Sequence, residues 1–281
     1  MKSNPAFDRQ MVVLELDGSA VHDHTPSELI RAGFPLQPER YEQAFDLFQR
    51  ENTGNVKPEE ALLQYASTTR GLTLRRAIEY ATFKMRFIKG FDTFIEILNQ
   101  KNVPLLLVSS GFSIVTEVIR QLYGPDRFQA VLSNALAFGL KKDPKAIISE
   151  KKLITLVQRY FHRSRGHQAY DKIVATGECN AVNSDPVQKA GFFAEMAAGL
   201  NIPFEAVNYV CSSFKDRETF LAVVRLGGRV IAFNYEESLK DTIQEKQGDN
   251  HLENKIKWTT PKSRRANLRC VFETLFPDGC P

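Results

Sequence analysis

The sequence predicts an α/β fold, in which a doubly wound, mostly parallel sheet carries a helical cap inserted after its first strand. Short apolar, β-branched runs bounded by turn residues recur along the chain, helical patterns lie between them, and one long helical stretch follows the first run. Continuous rather than alternating hydrophobicity is typical of strands buried on both faces of a parallel sheet. Strand–helix alternation of this kind predicts a Rossmann-like arrangement of layers.

Five apolar runs are predicted to be the strands of this sheet. They are MVVLEL (11–16), PLLLVS (104–109), QAVLS (129–133), VNYVC (207–211) and RVIAF (229–233). Four helices are predicted between these strands: FDTFIEILNQ (91–100), SIVTEVIRQLY (113–123), VQKAGFFAEMAAGL (187–200) and DRETFLAVVRL (216–226). Pro186 suits a first helical position, and Asp216 suits an N-cap.

The stretch between the first two predicted strands is long and helical. Its patterns are PERYEQAFDLFQR (38–50), KPEEALLQYASTTR (57–70) and TLRRAIEYATFKMRF (73–87). Tyr41, Phe45 and Phe48 recur at helical spacing. A helical unit inserted here lies above the carboxyl ends of the strands, where α/β sheets bind their ligands. We therefore predict a cap over 21–87, with 1–20 and 88–240 as the core.

Two basic segments complete the predicted organisation: an insertion at about 139–172 and a C-terminal extension at 241–281. The insertion carries an amphipathic helical pattern whose cationic side chains are Lys151, Lys152, Arg159, His162, Arg163 and Arg165. A solvated face is the simpler interpretation of this charge, and a patch for nucleic acid or an acidic partner is the alternative. In the extension, ANLRCVFETLF (266–276) is predicted to be a short amphipathic helix.

Composition excludes several classes of protein. Of 281 residues, 43% are hydrophobic and 25% charged, which is ordinary for a soluble globular protein. No apolar run approaches the roughly 18 residues that span a bilayer, and MKSNPAFDRQ lacks the apolar segment of a signal peptide. The four cysteines form no CxxC, which favours reduced thiols. We expect a cytoplasmic protein without a membrane segment, and a net charge of +4 does not by itself indicate nucleic acid.

Polar residues follow the predicted strands in an order suited to phosphate chemistry. ELDGS (15–19) ends the first strand, VSSGF (108–112) ends the second, Lys189 lies on a later helix, and CSSFKD (211–216) follows the next strand. Phosphoryl transfer on an open sheet needs carboxylates at a strand end, a hydroxyl donor, a cation and further acids for Mg²⁺. The order therefore indicates a phosphoryl-transfer centre or a descendant of one.

This order resembles the haloacid-dehalogenase superfamily of phosphatases, most closely its phosphoserine-phosphatase-like branch with a helical cap after strand 1. In that family the first strand ends DxDGT, where the first Asp attacks phosphorus and the second is the general acid and base. A Ser or Thr ends strand 2, a Lys precedes a helix, and GDxxxD completes the Mg²⁺ site. The resemblance covers roughly 11–240, including IKGFDTFIEIL (88–98) and the segment 209–234.

The resemblance implies a role for each matching residue. Glu15 takes the position of the attacking acid, and Asp17 that of the general acid and base. The implied phosphate-binding residues are Ser19, Ser109, Ser110, Gly111 and Lys189. The implied metal ligands are Glu15, Asp17, Ser212 and Asp216. Backbone N–H groups after the second strand, at a helix start, are also suited to an anion.

Two departures from the family pattern fall on the chemistry itself. Glu15 replaces the attacking Asp, and its extra methylene moves the carboxylate outward by about a bond length; a misplacement of ~1 Å costs ~10²-fold in rate when in-line alignment matters. Ser212 replaces the first Asp of GDxxxD, which removes an anionic ligand from Mg²⁺. The departures compound, because the family's attacking carboxylate is also a metal ligand.

The first motif is followed by a segment that we call the histidine loop: His22, Asp23 and His24. Two histidines flanking an acid invite a metal interpretation. A solvated loop is the simpler interpretation, because no further histidines lie nearby in sequence.

These features support three hypotheses about function. The leading one is a degenerate phosphatase-fold protein, a pseudoenzyme with weak or absent Mg²⁺ binding that binds a phosphorylated small molecule or a protein partner. The second is an active Mg²⁺-dependent phosphomonoesterase, because glutamate is chemically competent as a nucleophile. The third, less favoured, is a nucleic-acid-associated or assembly subunit that uses the basic segments. The ligand's identity and the oligomeric state stay open.

Overall fold

The computed structural model describes residues 9–162, 166–179, 185–246 and 253–277. Arg163, Arg165 and Cys280 of the predicted features lie outside these ranges. The strands are β1 (Met11–Glu15), β2 (Leu105–Phe112), β3 (Ala130–Asn134), β4 (Leu136–Leu140), β5 (Asp143–Ile148), β6 (Ile173–Cys179), β7 (Val207–Cys211), β8 (Arg229–Tyr235) and β9 (Ile256–Pro261).

The helices lie between these strands. They are α1 (Thr25–Gly33), α2 (Pro38–Asn52), α3 (Pro58–Thr68), α4 (Leu74–Glu79), α5 (Phe91–Gln100), α6 (Ser113–Tyr123), α7 (Glu150–His162), α8 (Ala169–Lys172), α9 (Pro186–Gly199), α10 (Arg217–Arg225), α11 (Glu237–Lys246) and α12 (Arg269–Leu275). Among the residues described above, no helix combines the length and the apolar character needed to cross a bilayer.

Six parallel strands form the main sheet, in the order β3-β2-β1-β7-β8-β9. Strand β1 is central, and its Leu14 pairs with Leu107 on one side and Val210 on the other. From β1 the chain builds outward through β2 and β3, and it later returns to build the opposite half from β7. The boundary between β1 and β7 is thus the topological switch point, where doubly wound sheets bind ligands. The predicted fold class is confirmed.

Alternate residues of β1 separate the two apolar layers, as the two-residue period of a strand requires. Val12 and Leu14 belong to the core that continues into the cap, whereas Met11 and Val13 belong to the core beneath α9, α10 and α11. All five residues of β1 are buried. This explains the continuous apolar run from which the strand was predicted, because both of its faces are covered.

The stretch predicted to be a cap consists of α1, α2, α3 and α4, and a π-helical turn at Tyr80–Lys84 extends α4. The helical patterns of the sequence match α2, α3 and α4, while α1 was not predicted separately. An isolated antiparallel bridge joins Val21 to Phe87, so the two chain crossings between core and cap lie side by side. The domain boundaries themselves stay a prediction.

The predicted insertion and the residues on either side of it hold more strand than the sequence indicated. Strands β4, β5 and β6 form a second, antiparallel sheet in the order β5-β4-β6. Helix α7 is amphipathic as predicted, with Leu153, Val157 and Tyr160 buried. Strand β6 also contacts the cap, because Ala175 N–H donates to the Leu72 carbonyl at 2.8 Å.

The C-terminal extension adds the last strand of the main sheet. Strand β9 pairs with β8 in parallel, and Trp258 packs edge-on against Tyr235 with ring centroids 5.0 Å apart. Helix α12 lies within the predicted helical stretch and buries Val271 and Phe272.

Candidate functional site

The four predicted motifs meet at the carboxyl ends of β1, β2 and β7. Glu15 contacts Ser110 across the β1–β2 boundary, and Lys189 of α9 reaches the same serine. On the other side, Ser212 after β7 contacts the backbone of Asp17. The contacts follow from the parallel topology, which places the carboxyl ends of neighbouring strands at one edge of the sheet.

Glu15 lies entirely in the interior, at 0% exposure. Its Oε1 accepts hydrogen bonds from the Ser110 N–H at 3.2 Å and from the Ser110 hydroxyl at 3.5 Å. Its Oε2 accepts one from the Tyr209 hydroxyl at 3.4 Å. Burial raises the pKa of Glu15, and the ammonium groups of Lys189 and Lys215 oppose this rise. The Glu15 carboxylate is therefore held by hydrogen bonds from β2 and β7, the two strands that flank β1.

Asp17 is held on both carboxylate oxygens. Oδ1 accepts a hydrogen bond from the Thr25 N–H at 3.2 Å, and Oδ2 lies 3.3 Å from the Lys215 ammonium. Both members of this ion pair are buried, with side-chain exposures of 3% for Lys215 and 5% for Asp17. Burial lowers the pKa of Lys215, but Asp17 and the neighbouring carboxylates raise it by a larger amount. The pKa therefore lies above its ordinary value. Lys215 stays protonated.

Ser212 holds the turn after β1. Its hydroxyl donates to the Asp17 carbonyl at 3.2 Å. Gly18 has a φ of +78°, and a Cβ built there would lie 2.2 Å from the Ser212 Oγ. Asn234 donates to the Gly18 carbonyl at 2.7 Å from the other side. The turn thus needs glycine for its backbone conformation and for space, and the Ser212 hydroxyl is used in binding that backbone.

Asp216 occupies the N-cap position of α10, but its side chain does not cap that helix. Its Oδ2 instead accepts a hydrogen bond from the Ser213 N–H at 3.3 Å, which closes a capping box over the turn that precedes α10. Burial and the nearby Glu15 raise the pKa of Asp216 to about 8. Asp216 therefore stands at the predicted N-cap position of α10, but its side chain bonds Ser213 and not an N–H group of that helix.

The polar groups of the predicted phosphate-binding residues differ in whether the protein already bonds them. Lys189, buried at 6% exposure, lies with its ammonium 3.4 Å from the Ser110 hydroxyl. The backbone N–H groups expected to hold an anion are already engaged: that of Ser110 by Glu15, and that of Gly111 by the Ser109 hydroxyl at 2.9 Å. The Ser19 hydroxyl is buried and has no hydrogen-bond partner among the described residues.

A cavity of about 130 Å³ lies between the cap and the core beside these residues. Its cap wall includes His24, Glu51 and Tyr65, and its core wall includes Ser110, Asn134, Lys189, Lys215 and Arg217. A neighbouring cavity of about 40 Å³ includes Asp17, Ser212 and Lys215 in its wall. Glu15 and Asp216 line neither cavity, whereas Lys215 lines both. The cations, rather than the predicted attacking acid, face the open space.

Reasoning from the sequence did not single out three residues that contribute to this site. Lys215 stands inside the quoted CSSFKD motif beside Asp216, and a cation between two metal-ligand positions was the available signal. Tyr209 was the one hydroxyl on an apolar strand. Glu51, which is buried and accepts a hydrogen bond from the Tyr65 hydroxyl at 3.3 Å, lies in the last turn of α2 and carried no local signal.

The side chains at the family's metal positions do not fit Mg²⁺, which demands near-octahedral oxygen ligands. The Asp17 carboxylate is paired with Lys215, and the Ser212 hydroxyl binds a backbone carbonyl. Across the described ranges, no three His, Cys, Asp or Glu side chains are grouped so as to hold a metal ion.

The histidine loop is likewise occupied by other contacts. The His24 ring stacks on Phe48 with centroids 4.3 Å apart, and its Nδ1 lies 2.8 Å from the Ser27 hydroxyl. The Asp23 carboxylate is paired with Arg86.

No family model matches the chain, and no curated protein matches it. Solved structures do match. One is a phosphoserine phosphatase described as a phospho-aspartyl intermediate analogue, 16% identical over 95% of this chain and 98% of that one, with a TM-score of 0.64. Another is a HAD family hydrolase from Salmonella enterica serovar Typhi, 14% identical over 85% and 68% of the two chains, with a TM-score of 0.62.

A third is a phosphoserine phosphohydrolase-like protein from Francisella tularensis, 12% identical over 94% of this chain and 99% of that one, with a TM-score of 0.56. At such identities the likeness establishes the fold. The chain has the capped α/β fold of phosphoserine phosphatases and HAD hydrolases, and the resemblance stated from its motifs is confirmed at that level.

Proposed function

We propose that the protein is a degenerate member of this phosphatase fold, which binds a small phosphorylated molecule between cap and core and hydrolyses it slowly or not at all. The observation that carries the proposal is the buried ion pair between Lys215 and Asp17. It occupies the carboxylate that the resemblance assigns to general acid–base catalysis. Weak or absent Mg²⁺ binding is part of the proposal, as is a cytoplasmic location, which rests on the spacing of the cysteines.

The state of Glu15 supports loss of hydrolysis. A nucleophile must come within about 3–3.5 Å of the reacting atom in line with its leaving group. The Glu15 carboxylate is fully buried, lines neither cavity and is bonded by Ser110 and Tyr209. Attack on phosphorus would require these bonds to break and the side chain to turn outward.

The cations around the cavity support the binding of a phosphate group. Lys189, Lys215 and Arg217 line its core wall. Lysine binds phosphate as a point charge, and arginine binds it through a planar set of donors. Because this cavity of about 130 Å³ is small and is covered by the cap, it suits a phosphorylated metabolite better than an extended partner.

Hydrolysis is tested with a generic phosphomonoester and MgCl₂, using the wild type and Asp17→Asn. We expect the wild-type rate to lie close to the protein-free background and to be unchanged in Asp17→Asn. Turnover by the wild type that disappears in Asp17→Asn would establish the active phosphomonoesterase instead. The active alternative also predicts faster turnover when Glu15→Asp is combined with Ser212→Asp, whereas the degenerate site predicts no gain while Lys215 remains.

The basic insertion supports a different role only weakly. Lys151, Lys152 and Arg159 are exposed on α7, as a solvated face also requires. A nucleic-acid or assembly role stays a prediction. It would be indicated by binding that weakens steeply as salt is added.

A further inference from the structure

Lys215 is a cation enclosed by the acids of the site. The short turn Phe214–Asp216 carries it back over the end of β7, and the Ser213 hydroxyl accepts a hydrogen bond from the Lys215 N–H at 3.4 Å. Its side chain is only 3% exposed, and its ammonium lies 3.3 Å from Asp17. The turn and the burial together hold the charge in one place.

The surroundings of this ammonium include the three acids at the positions that the family pattern assigns to a metal, Glu15, Asp17 and Asp216, together with Glu51 of the cap. The carboxylates of Asp17, Glu51, Asp216 and Glu15 all act on Lys215 electrostatically. A buried carboxylate that stays ionised requires a compensating cation, whether a metal ion or a side chain. Lys215 meets that requirement from within the chain.

We propose that the Lys215 ammonium takes the place of the divalent cation, so that the site binds phosphate-bearing ligands without a metal and excludes Mg²⁺. The part concerning the ligand rests on the proposed function, and the part concerning Mg²⁺ gives a physical cause for the weak or absent Mg²⁺ binding proposed there. A second cation close to a buried ammonium is repelled, which opposes metal binding. Ser212 supports the same conclusion, since a neutral hydroxyl replaces the acid that would offset the added charge.

The position of Lys215 also suits it to contact a ligand. It lines both the larger cavity, opposite the cap, and the smaller one that includes Asp17. An ammonium has three N–H donors, and the ion pair with Asp17 uses one of them. A phosphate in the larger cavity is therefore met by Lys189 from α9 and by Lys215 from the turn after β7.

Exclusion of Mg²⁺ is tested by titrating MgCl₂ alone into the wild type, followed by calorimetry and by the melting temperature. We expect no binding heat and no rise in melting temperature up to about 10 mM. The combination of Lys215→Gln with Ser212→Asp is expected to gain saturable Mg²⁺ binding with a matching rise in melting temperature. Binding of Mg²⁺ by the wild type as tight as by this double variant would overturn the proposal.

Two matched variants separate the role of Lys215 from a general effect of charge. Lys189→Gln removes a buried cation from the same cavity, and Lys215→Arg keeps the charge; neither is expected to gain Mg²⁺ binding. A gain by Lys189→Gln equal to that of the double variant, or no gain by a double variant whose circular dichroism matches wild type, would also contradict the proposal. If the double variant does not fold, the wild-type titration still decides.

Independence from metal is tested with inorganic phosphate. We expect the wild-type affinity measured with EDTA to agree within about twofold with that measured in MgCl₂. A tightening of roughly tenfold or more by Mg²⁺ would overturn the proposal. Failure of the wild type to bind phosphate in either condition would instead overturn the proposed function, and the Mg²⁺ titration would still test the exclusion of the metal.

Discussion

The phenolic hydroxyl of Tyr209 donates a hydrogen bond of 3.4 Å to Oε2 of Glu15, between two adjacent parallel strands. Burial raises the pKa of Tyr209 well above its ordinary value, so the hydroxyl stays protonated and remains a donor. The Glu15 side chain therefore accepts a hydrogen bond at Oε2 from Tyr209 of β7 and one at Oε1 from Ser110 of β2. Glu15 connects three strands of the sheet.

Removal of the Tyr209 hydroxyl is expected to destabilise the protein. Tyr209→Phe leaves one oxygen of a buried carboxylate without its donor, which costs about 1–3 kcal/mol. The free energy of unfolding in urea measures this loss. Tyr80→Phe is the matched control, because the Tyr80 hydroxyl is buried without a hydrogen-bond partner in the described part of the chain. Equal losses in the two variants would show that the Tyr209–Glu15 bond contributes nothing.

The turn after β1 is expected to tolerate no side chain at Gly18. Gly18→Ala combines a positive φ, which costs roughly 1–2 kcal/mol, with a Cβ placed 2.2 Å from the Ser212 Oγ. Gly71→Ala isolates the backbone cost, because Gly71 has a φ of +85° and open space around its Cβ position. Urea unfolding should show the larger loss for Gly18→Ala. Adding Ser212→Gly should recover part of it, and no recovery would contradict a steric cause.

Binding of phosphate is expected to depend on Lys189. Lys189→Gln removes a charge that lines the cavity, and the loss of a charge-assisted contact weakens binding by roughly tenfold or more. Isothermal calorimetry with inorganic phosphate measures the change. Lys101→Gln is the control for net charge, because Lys101 ends α5 next to the amino end of β2, at the opposite edge of the sheet. An unchanged affinity in Lys189→Gln would place phosphate elsewhere.

Stability is expected to fall in mild acid because of His24. Burial, together with Lys215, lowers the pKa of His24 well below 6.5, so the folded protein keeps this ring neutral. As the pH falls below 6.5, the unfolded chain binds a proton that the folded chain does not. The free energy of unfolding therefore decreases, with a slope of up to about 1.4 kcal/mol per pH unit for one proton.

Replacement by a ring that does not titrate tests this assignment. His24→Phe retains the stacking on Phe48 and should have a shallower dependence of unfolding free energy on pH between about 7 and 5 than wild type. Parallel curves for the two proteins would assign the acid sensitivity to other groups.

The short strands in and beside the predicted insertion show where prediction from sequence stopped. Each of β4, β5 and β6 spans seven residues or fewer. Strand β1 is equally short but is one continuous apolar run, whereas the sequence of β5, DPKAII, begins with charged and turn-forming residues. Strands β4 and β6 became strands by pairing with each other in space, at Phe138 with Ala175. Helices α5 and α6, whose apolar faces repeat over ten or more residues, were predicted with the bounds that the structure has.

The sequence by itself determined five of the six strands of the main sheet, most of the cap helices and the order of the motifs, because local hydrophobic period reports which faces are buried; it did not predict β9. It also identified Glu15 and Ser212 as departures from the family pattern. Only the tertiary structure decided what those departures do. Lys215 pairs with Asp17 across 198 positions, and Tyr209 bonds Glu15 across 194. Such contacts depend on strand adjacency and register, and a side chain's partner in space leaves no trace in its neighbours along the chain.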